Sequence, residues 1–213
     1  MGAVLDCIDP DTRPLSIATA ARAVRSGQLV VLPTDTVYGI GADAFDAAAV
    51  SSLLAAKGRG RDMPVPVLVG SWDTIDGLAA SISGRVRDLV EAFWPGELTL
   101  VIEHARSLSW DLGDSRGTVA VRMPLHPVAL ELLRDVGPMA VSSANRTGQA
   151  PAVTAQQALD QLAELVSVYL DAGPSASGVA STIVDVTTEV PTVLRVGGLP
   201  VEQLRRVVPA IVG

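Results

Sequence analysis

The run Gln28-Leu29-Val30-Val31-Leu32-Pro33-Thr34-Asp35-Thr36-Val37-Tyr38-Gly39-Ile40-Gly41 changes character at Pro33. Its opening, Gln28 to Leu32, is mostly apolar and carries adjacent β-branched valines, the pattern of a short buried strand. Pro33 lacks the N–H that a sheet ladder needs, and the residues after it are rich in hydroxyls and glycine, so 34–41 reads as a loop. A buried strand opening into a polar loop is typical of α/β sheets, whose ligands bind beyond strand ends.

Outward from this stretch, strand and helix signals interleave. Ser16 reads as the N-cap of a helix reaching Ser26, with Gly27 as its stop. Asp46 caps a second helix, with Val50, Leu53 and Leu54 on one face and Lys57 in its last turn. Strands are expected over Val65–Val69, 97–103, 118–123, Met139–Ser142, 167–171, 181–187 and 192–196, with Pro66 marking an edge or bulge. Helices are expected over 72–80, 84–93, Pro127 to Gly137, Thr154 to Leu165, and 201–207. Without repeats or a linker, this pattern predicts a single α/β domain over 1–213, core about 16–200, around a twisted mixed sheet flanked by helices.

Composition narrows the class. Hydrophobic residues make up 48% and charged residues 18%, a globular balance. The net charge is −7, which opposes a protein gripping nucleic acid over its whole surface. Cys7 is the only cysteine, so no internal disulfide or cysteine-rich zinc site is expected. The N-terminus, acidic and broken by prolines, resembles neither a signal peptide nor a lipid anchor, and no apolar run approaches the ~18 residues of a membrane span. The expected compartment is the cytoplasm, with no membrane partner.

Lys57 is the only lysine beside fifteen arginines. It opens Lys57-Gly58-Arg59-Gly60-Arg61, where glycines free three cations to converge on a polyanion, or where the cations simply complement a helix dipole. Thr118, Ala120 and Arg122 alternate on one face of a strand, and an arginine there needs a carboxylate partner or solvent. Ser142-Ser143-Ala144-Asn145 follows a strand as a possible shelf for a polar ligand or an ordinary turn. Ser181-Thr182 and Arg195 lie near later strand ends. The chain has no P-loop, H-E-x-x-H or G-x-S-x-G signature, and its only histidines are His104 and His126. Cations and hydroxyls without a nucleophile suit stabilisation of phosphate charge.

Together the segments Leu32–Gly39, Lys57-Gly58-Arg59, Thr118–Arg122, Ser143-Ala144-Asn145, Ser181–Asp185 and Leu194–Gly197 resemble the YrdC-like threonylcarbamoyl-AMP synthase family, in order and over nearly the whole chain. The resemblance implies an open, positively lined cavity that joins L-threonine, bicarbonate and ATP into threonylcarbamoyl-AMP and pyrophosphate. It implies Mg²⁺ with the ATP, metal ligands unassigned, and a downstream tRNA threonylcarbamoyl transferase complex as recipient; any direct tRNA contact would be weak. Carried over by residue, Thr36, Arg122 and Ser142 bind threonine, with Arg122 on its carboxylate. Lys57 and Arg59 hold phosphates and act at the α-phosphorus. Thr118, Ser143, Asn145, Ser181 and Arg195 line the nucleotide pocket.

The chain departs from the family pattern where Met63 stands near the usual asparagine and Leu68 near the usual histidine, with Arg61 as a possible compensating cation. Those changes would suit a binding domain that has lost activity. The alternative in another class is a non-catalytic RNA-binding module with the same fold. The charge of −7 and the lack of aromatics beside the cations oppose it.

Overall fold

The computed structural model describes residues 2–213. Its strands are β1 (Ala3–Asp6), β2 (Val30–Leu32), β3 (Gly39–Asp43), β4 (Val67–Leu68), β5 (Leu98–Glu103), β6 (Thr118–Arg122), β7 (Met139–Ser143), β8 (Val168–Asp171), β9 (Thr182–Asp185) and β10 (Thr192–Arg195). Its helices are α1 (Arg13–Arg25), α2 (Ala47–Lys57), α3 (Ile75–Leu78), α4 (Gly84–Phe93), α5 (Pro127–Val136), α6 (Ala155–Leu162) and α7 (Val201–Val207). The strands form one sheet in the order β1-β8-β2-β3-β7-β4-β6-β5-β9-β10. Parallel pairs such as β4·β6 and β5·β9 sit beside antiparallel pairs such as β3·β7 and β5·β6, giving the mixed sheet expected.

Strand alternation divides the apolar residues between two cores. Val31, Ile40, Val67, Val121, Ala140, Tyr169 and Val184 join one cluster with side chains of α2, α4 and α6. Their neighbours Val30, Leu32, Leu68, Val141, Val168 and Leu170 join the other, against α1 and α5. Thr99, Arg122 and Ile183 lie on the same face farther across the sheet and border open space. The uncovered part of this face holds the site.

Three local readings are corrected. The helix expected from Ser16 begins at Arg13, with Pro14 in its first turn, where a missing N–H costs nothing. Ser16 is buried inside that helix and donates from Oγ to the Asp6 carbonyl at 2.7 Å. The loop expected over 34–41 ends early, because Gly39 to Asp43 is β3. Glycine is a poor strand former, yet a Cβ at Gly39 would stand 2.6 Å from Val141 Cγ1, so glycine is what lets this strand lie against its neighbour. β1 was not expected at all; it adds to the edge of the sheet through parallel pairing with β8. Among the described residues no helix is long and apolar enough to cross a membrane.

Candidate active site

A cavity of about 420 Å³ opens on the uncovered face. Seven adjacent strands each supply lining: Gly39 from β3, Val141 to Ser143 from β7, Leu68 from β4, Arg122 from β6, Thr99 from β5, Ile183 from β9 and Arg195 from β10. A sheet-borne site of this kind holds its side chains more firmly than loops can.

Arg122 forms the anchor of one wall. Its Nε donates to the Gly96 carbonyl at 2.8 Å, Nη1 to Thr36 Oγ1 at 2.8 Å, and Nη2 to Asp35. A guanidinium has five N–H donors, so these three contacts leave two free. Burial pulls the Arg122 pKa down and the nearby Asp35 charge opposes that shift, which keeps a buried cation in place. Thr36 is fixed in turn by Thr34, with 2.9 Å between the hydroxyl oxygens.

Two further arginines face the same space. Arg59, just past the left-handed Gly58 that ends α2, donates from Nη1 to Ser142 Oγ at 3.2 Å. Its Nε is buried without a partner among the described residues. Arg195 reaches the Ser181 carbonyl from Nε (3.0 Å) and Nη2 (2.8 Å), and the Ser181 hydroxyl lies 2.7 Å from Thr99 Oγ1. Burial lowers the pKa of both guanidinium groups. Cations held in a partly desolvated cleft attract anions more strongly than they would in water.

Of the residues singled out in the sequence, Thr36, Arg59, Arg122, Ser142, Ser143, Ser181 and Arg195 line this cavity. Lys57, Thr118 and Asn145 do not. Thr118 shares the face of Arg122 but sits at the far end of β6, about 13 Å away at ~3.3 Å per residue. Its hydroxyl donates to the Ser115 carbonyl at 2.8 Å, and it borders a separate small cavity with Ser115 and Ala120. Lys57 and Asn145 are buried behind the lining and bonded to one another. Arg61 is not a spare phosphate cation: it forms a two-pronged pair with Asp111 at 2.9 and 2.8 Å, outside the lining. Met63 and Leu68 do line the cavity, so the departures from the family pattern lie inside the site. Sequence reasoning missed Thr99, an isolated hydroxyl in an apolar strand, for which alternation against Leu98 and Leu100 was the available signal.

Three guanidinium groups, several hydroxyls and apolar side chains lining one cavity on an α/β sheet define a small-molecule site for ligands carrying more than one anionic group. A family model described as Telomere recombination, covering Sua5, YciO and YrdC proteins, matches residues 22–197, and the chain belongs to that family. It is 61% identical over 211 residues to a Mycobacterium leprae protein provisionally named a threonylcarbamoyl-AMP synthase, covering 99% of this chain and 96% of that one. It is 38% identical to the threonylcarbamoyl-AMP synthase of Pyrococcus abyssi over 92% of this chain, and spans 58% of that longer protein. The structure of P. abyssi Sua5 complexed with L-threonine superposes with a TM-score of 0.94 at 35% identity, covering 99% of this chain and 62% of that one. Escherichia coli YciO shares the fold, with a TM-score of 0.85 at 22% identity over 96% of this chain and all of that one.

Proposed function

We propose that this chain is an L-threonylcarbamoyladenylate synthase, a nucleotidyltransferase that converts L-threonine, bicarbonate and ATP to threonylcarbamoyl-AMP and pyrophosphate. The observation that carries the reading is the convergence of three cations on one cavity: Arg59, Arg122 and Arg195 all line it, Arg122 with two free N–H donors. A carboxylate and a phosphate chain can then bind together, as the reaction requires.

In this reading Arg122 grips the threonine carboxylate while Thr36 and Ser142 flank the amino acid. The threonine amine attacks the carbon of bicarbonate; an N–C bond forms and water leaves, giving the carbamate. A carbamate oxygen then attacks the α-phosphorus, and the bond to the β-phosphate bridging oxygen breaks to release pyrophosphate. Arg59 and Arg195 neutralise charge on the phosphates as it shifts toward the leaving group, the usual protein contribution to such transfers. Ser143 and Ser181 supply hydroxyls along the nucleotide.

Among the described residues no group of three or more His, Cys, Asp or Glu side chains is placed to hold a metal ion. The chain therefore does not fit a protein-built Mg²⁺ cage, and the expected cation would ride on the phosphate oxygens of ATP itself. In this reading the product passes to a tRNA threonylcarbamoyl transferase complex, and the proposed compartment is the cytoplasm. The test is pyrophosphate release with threonine, bicarbonate and ATP each omitted in turn. Release that requires all three supports the synthase; release that persists without threonine overturns it.

A further inference from the structure

The segment 58–66 joins α2 to β4 and carries Arg59, Met63, Pro64 and Pro66 along the cavity as a strap. Its first residues are fixed by the helix it leaves: the Gly58 and Arg59 amides donate to the Ala55 and Leu54 carbonyls at 2.9 Å each. Near its other end the Val65 amide donates to the Leu112 carbonyl at 2.9 Å. Between these ties stands Arg61. Its Nη1 and Nη2 donate to the two oxygens of Asp111, and its Nε lies 3.3 Å from Asp114 Oδ1. The Asp114 amide donates back to the Arg61 carbonyl at 2.7 Å.

Asp111 and Asp114 belong to the loop 104–117 between β5 and β6, which is itself well anchored. Leu112 is buried in the core, and Trp110 stacks on Phe45 and meets His104 edge-on, with ring centroids 5.6 Å apart in both pairs. Gly113 has a φ of +101°, and a Cβ there would stand 2.8 Å from the Arg61 carbonyl oxygen, so glycine is what lets this loop lie against the strap. A single exposed ion pair contributes little, because water screens it and ordering two long side chains is costly. Here a forked pair, a second carboxylate and a backbone bond act at one point, the arrangement in which such contacts hold a geometry. We propose that Arg61 is a positioning residue: with Asp111 and Asp114 it clasps the strap to the β5–β6 loop, so that Arg59 keeps its place on the cavity for a ligand phosphate. The proposal rests on the reading of the cavity as an ATP site.

A clasp and a direct phosphate cation predict opposite effects of removing Asp111. If Arg61 bound phosphate itself, losing the carboxylate would free it and tighten binding of a polyanion. If Arg61 is a clasp, losing either partner loosens the strap and weakens binding. The experiment is calorimetric titration of a non-hydrolysable ATP analogue, and separately of threonine. It uses wild type, Arg61→Gln, Asp111→Ala and the double variant, each with its thermal midpoint recorded. The expected result is analogue affinity about fivefold weaker in each single variant, with threonine affinity within about twofold of wild type. The double variant should be little worse than either single one, because both open the same clasp. Analogue affinity unchanged in both folded single variants, whatever their thermal midpoints, would overturn the proposal and leave the synthase reading standing. Tighter analogue binding by Asp111→Ala would also overturn it. If one variant does not fold, the other decides alone by the same criterion. Wild-type protein that binds no ATP analogue would overturn the underlying reading and this proposal with it.

Discussion

Arg122 and Asp35 form an ion pair across the sheet, with side chains only 7% and 11% exposed. β6 carries the arginine, and Asp35 follows β2, with three strands between the two in the sheet order. The second oxygen of Asp35 is buried without a partner among the described residues, so the carboxylate depends on Arg122 for its compensation.

Arg122→Ala therefore strands a buried carboxylate as well as removing the proposed threonine clamp. The expected loss is ~3–5 kcal/mol of stability, the usual cost of breaking one partner from a buried pair. Asp35→Asn keeps the shape and a hydrogen bond, so it should fold and mainly weaken threonine binding. Denaturant unfolding alongside threonine titration separates the two effects.

Lys57 gives a pH dependence with a definite sign. Burial first, and the Arg59 charge second, pull its pKa from the usual 10.5 to about 7. Arg146, which follows Asn145, is bonded by its Nε to the Gln161 carbonyl. Between those values the unfolded chain holds the proton that the folded chain has released, so stability from this group rises with pH across that window. It is fully present above 10.5 and lost as pH falls through about 7. Against Lys57→Met, wild type should gain at most ~1.4 kcal/mol per pH unit within the window, measured by urea unfolding.

Gly39→Ala should damage both fold and site. Its new methyl would lie 2.6 Å from Val141 Cγ1 on the strand that lines the cavity. Overpacking of this kind costs ~1–3 kcal/mol, and displacement of Val141 should weaken ligand binding in step. Thermal unfolding and threonine titration check it.

Met63 and Leu68 should respond differently to the residues usual in the family. Met63 is 45% exposed, so Met63→Asn should change stability by less than ~0.5 kcal/mol. Leu68 is 6% exposed and packs in the cluster under α1 and α5, so Leu68→His should cost ~1–3 kcal/mol for a polar group in that position. A Leu68→His protein as stable as wild type would show that this position is not part of the core.

The order of strands and helices was legible because apolar runs and caps are local signals: Asp46 caps α2 as read, and Thr154 caps α6. β3 was hidden because its glycines answer to Val141 and Met139 on a distant strand, a contact without local trace. β1 was hidden because a short edge strand amid acidic residues shows little pattern. In the site, Arg122 was readable as a strand cation costly to bury unpaired and Arg59 as part of a glycine-spaced cation run, while the role of Arg195 came with the family resemblance. The sequence alone could not separate a cation that faces the cavity from one committed behind it. Lys57 and Asn145 have the residue types of ligands, and only three-dimensional bonding shows every donor and acceptor of theirs turned inward.

The most direct test of the central claim is product analysis by mass spectrometry after incubation with threonine, ATP and ¹³C-labelled bicarbonate, using wild type and Arg122→Ala. The account predicts a threonylcarbamoyl adenylate bearing the ¹³C label from wild type and none from the variant. Unlabelled adenylate, or AMP formed without any threonine adduct, would contradict it.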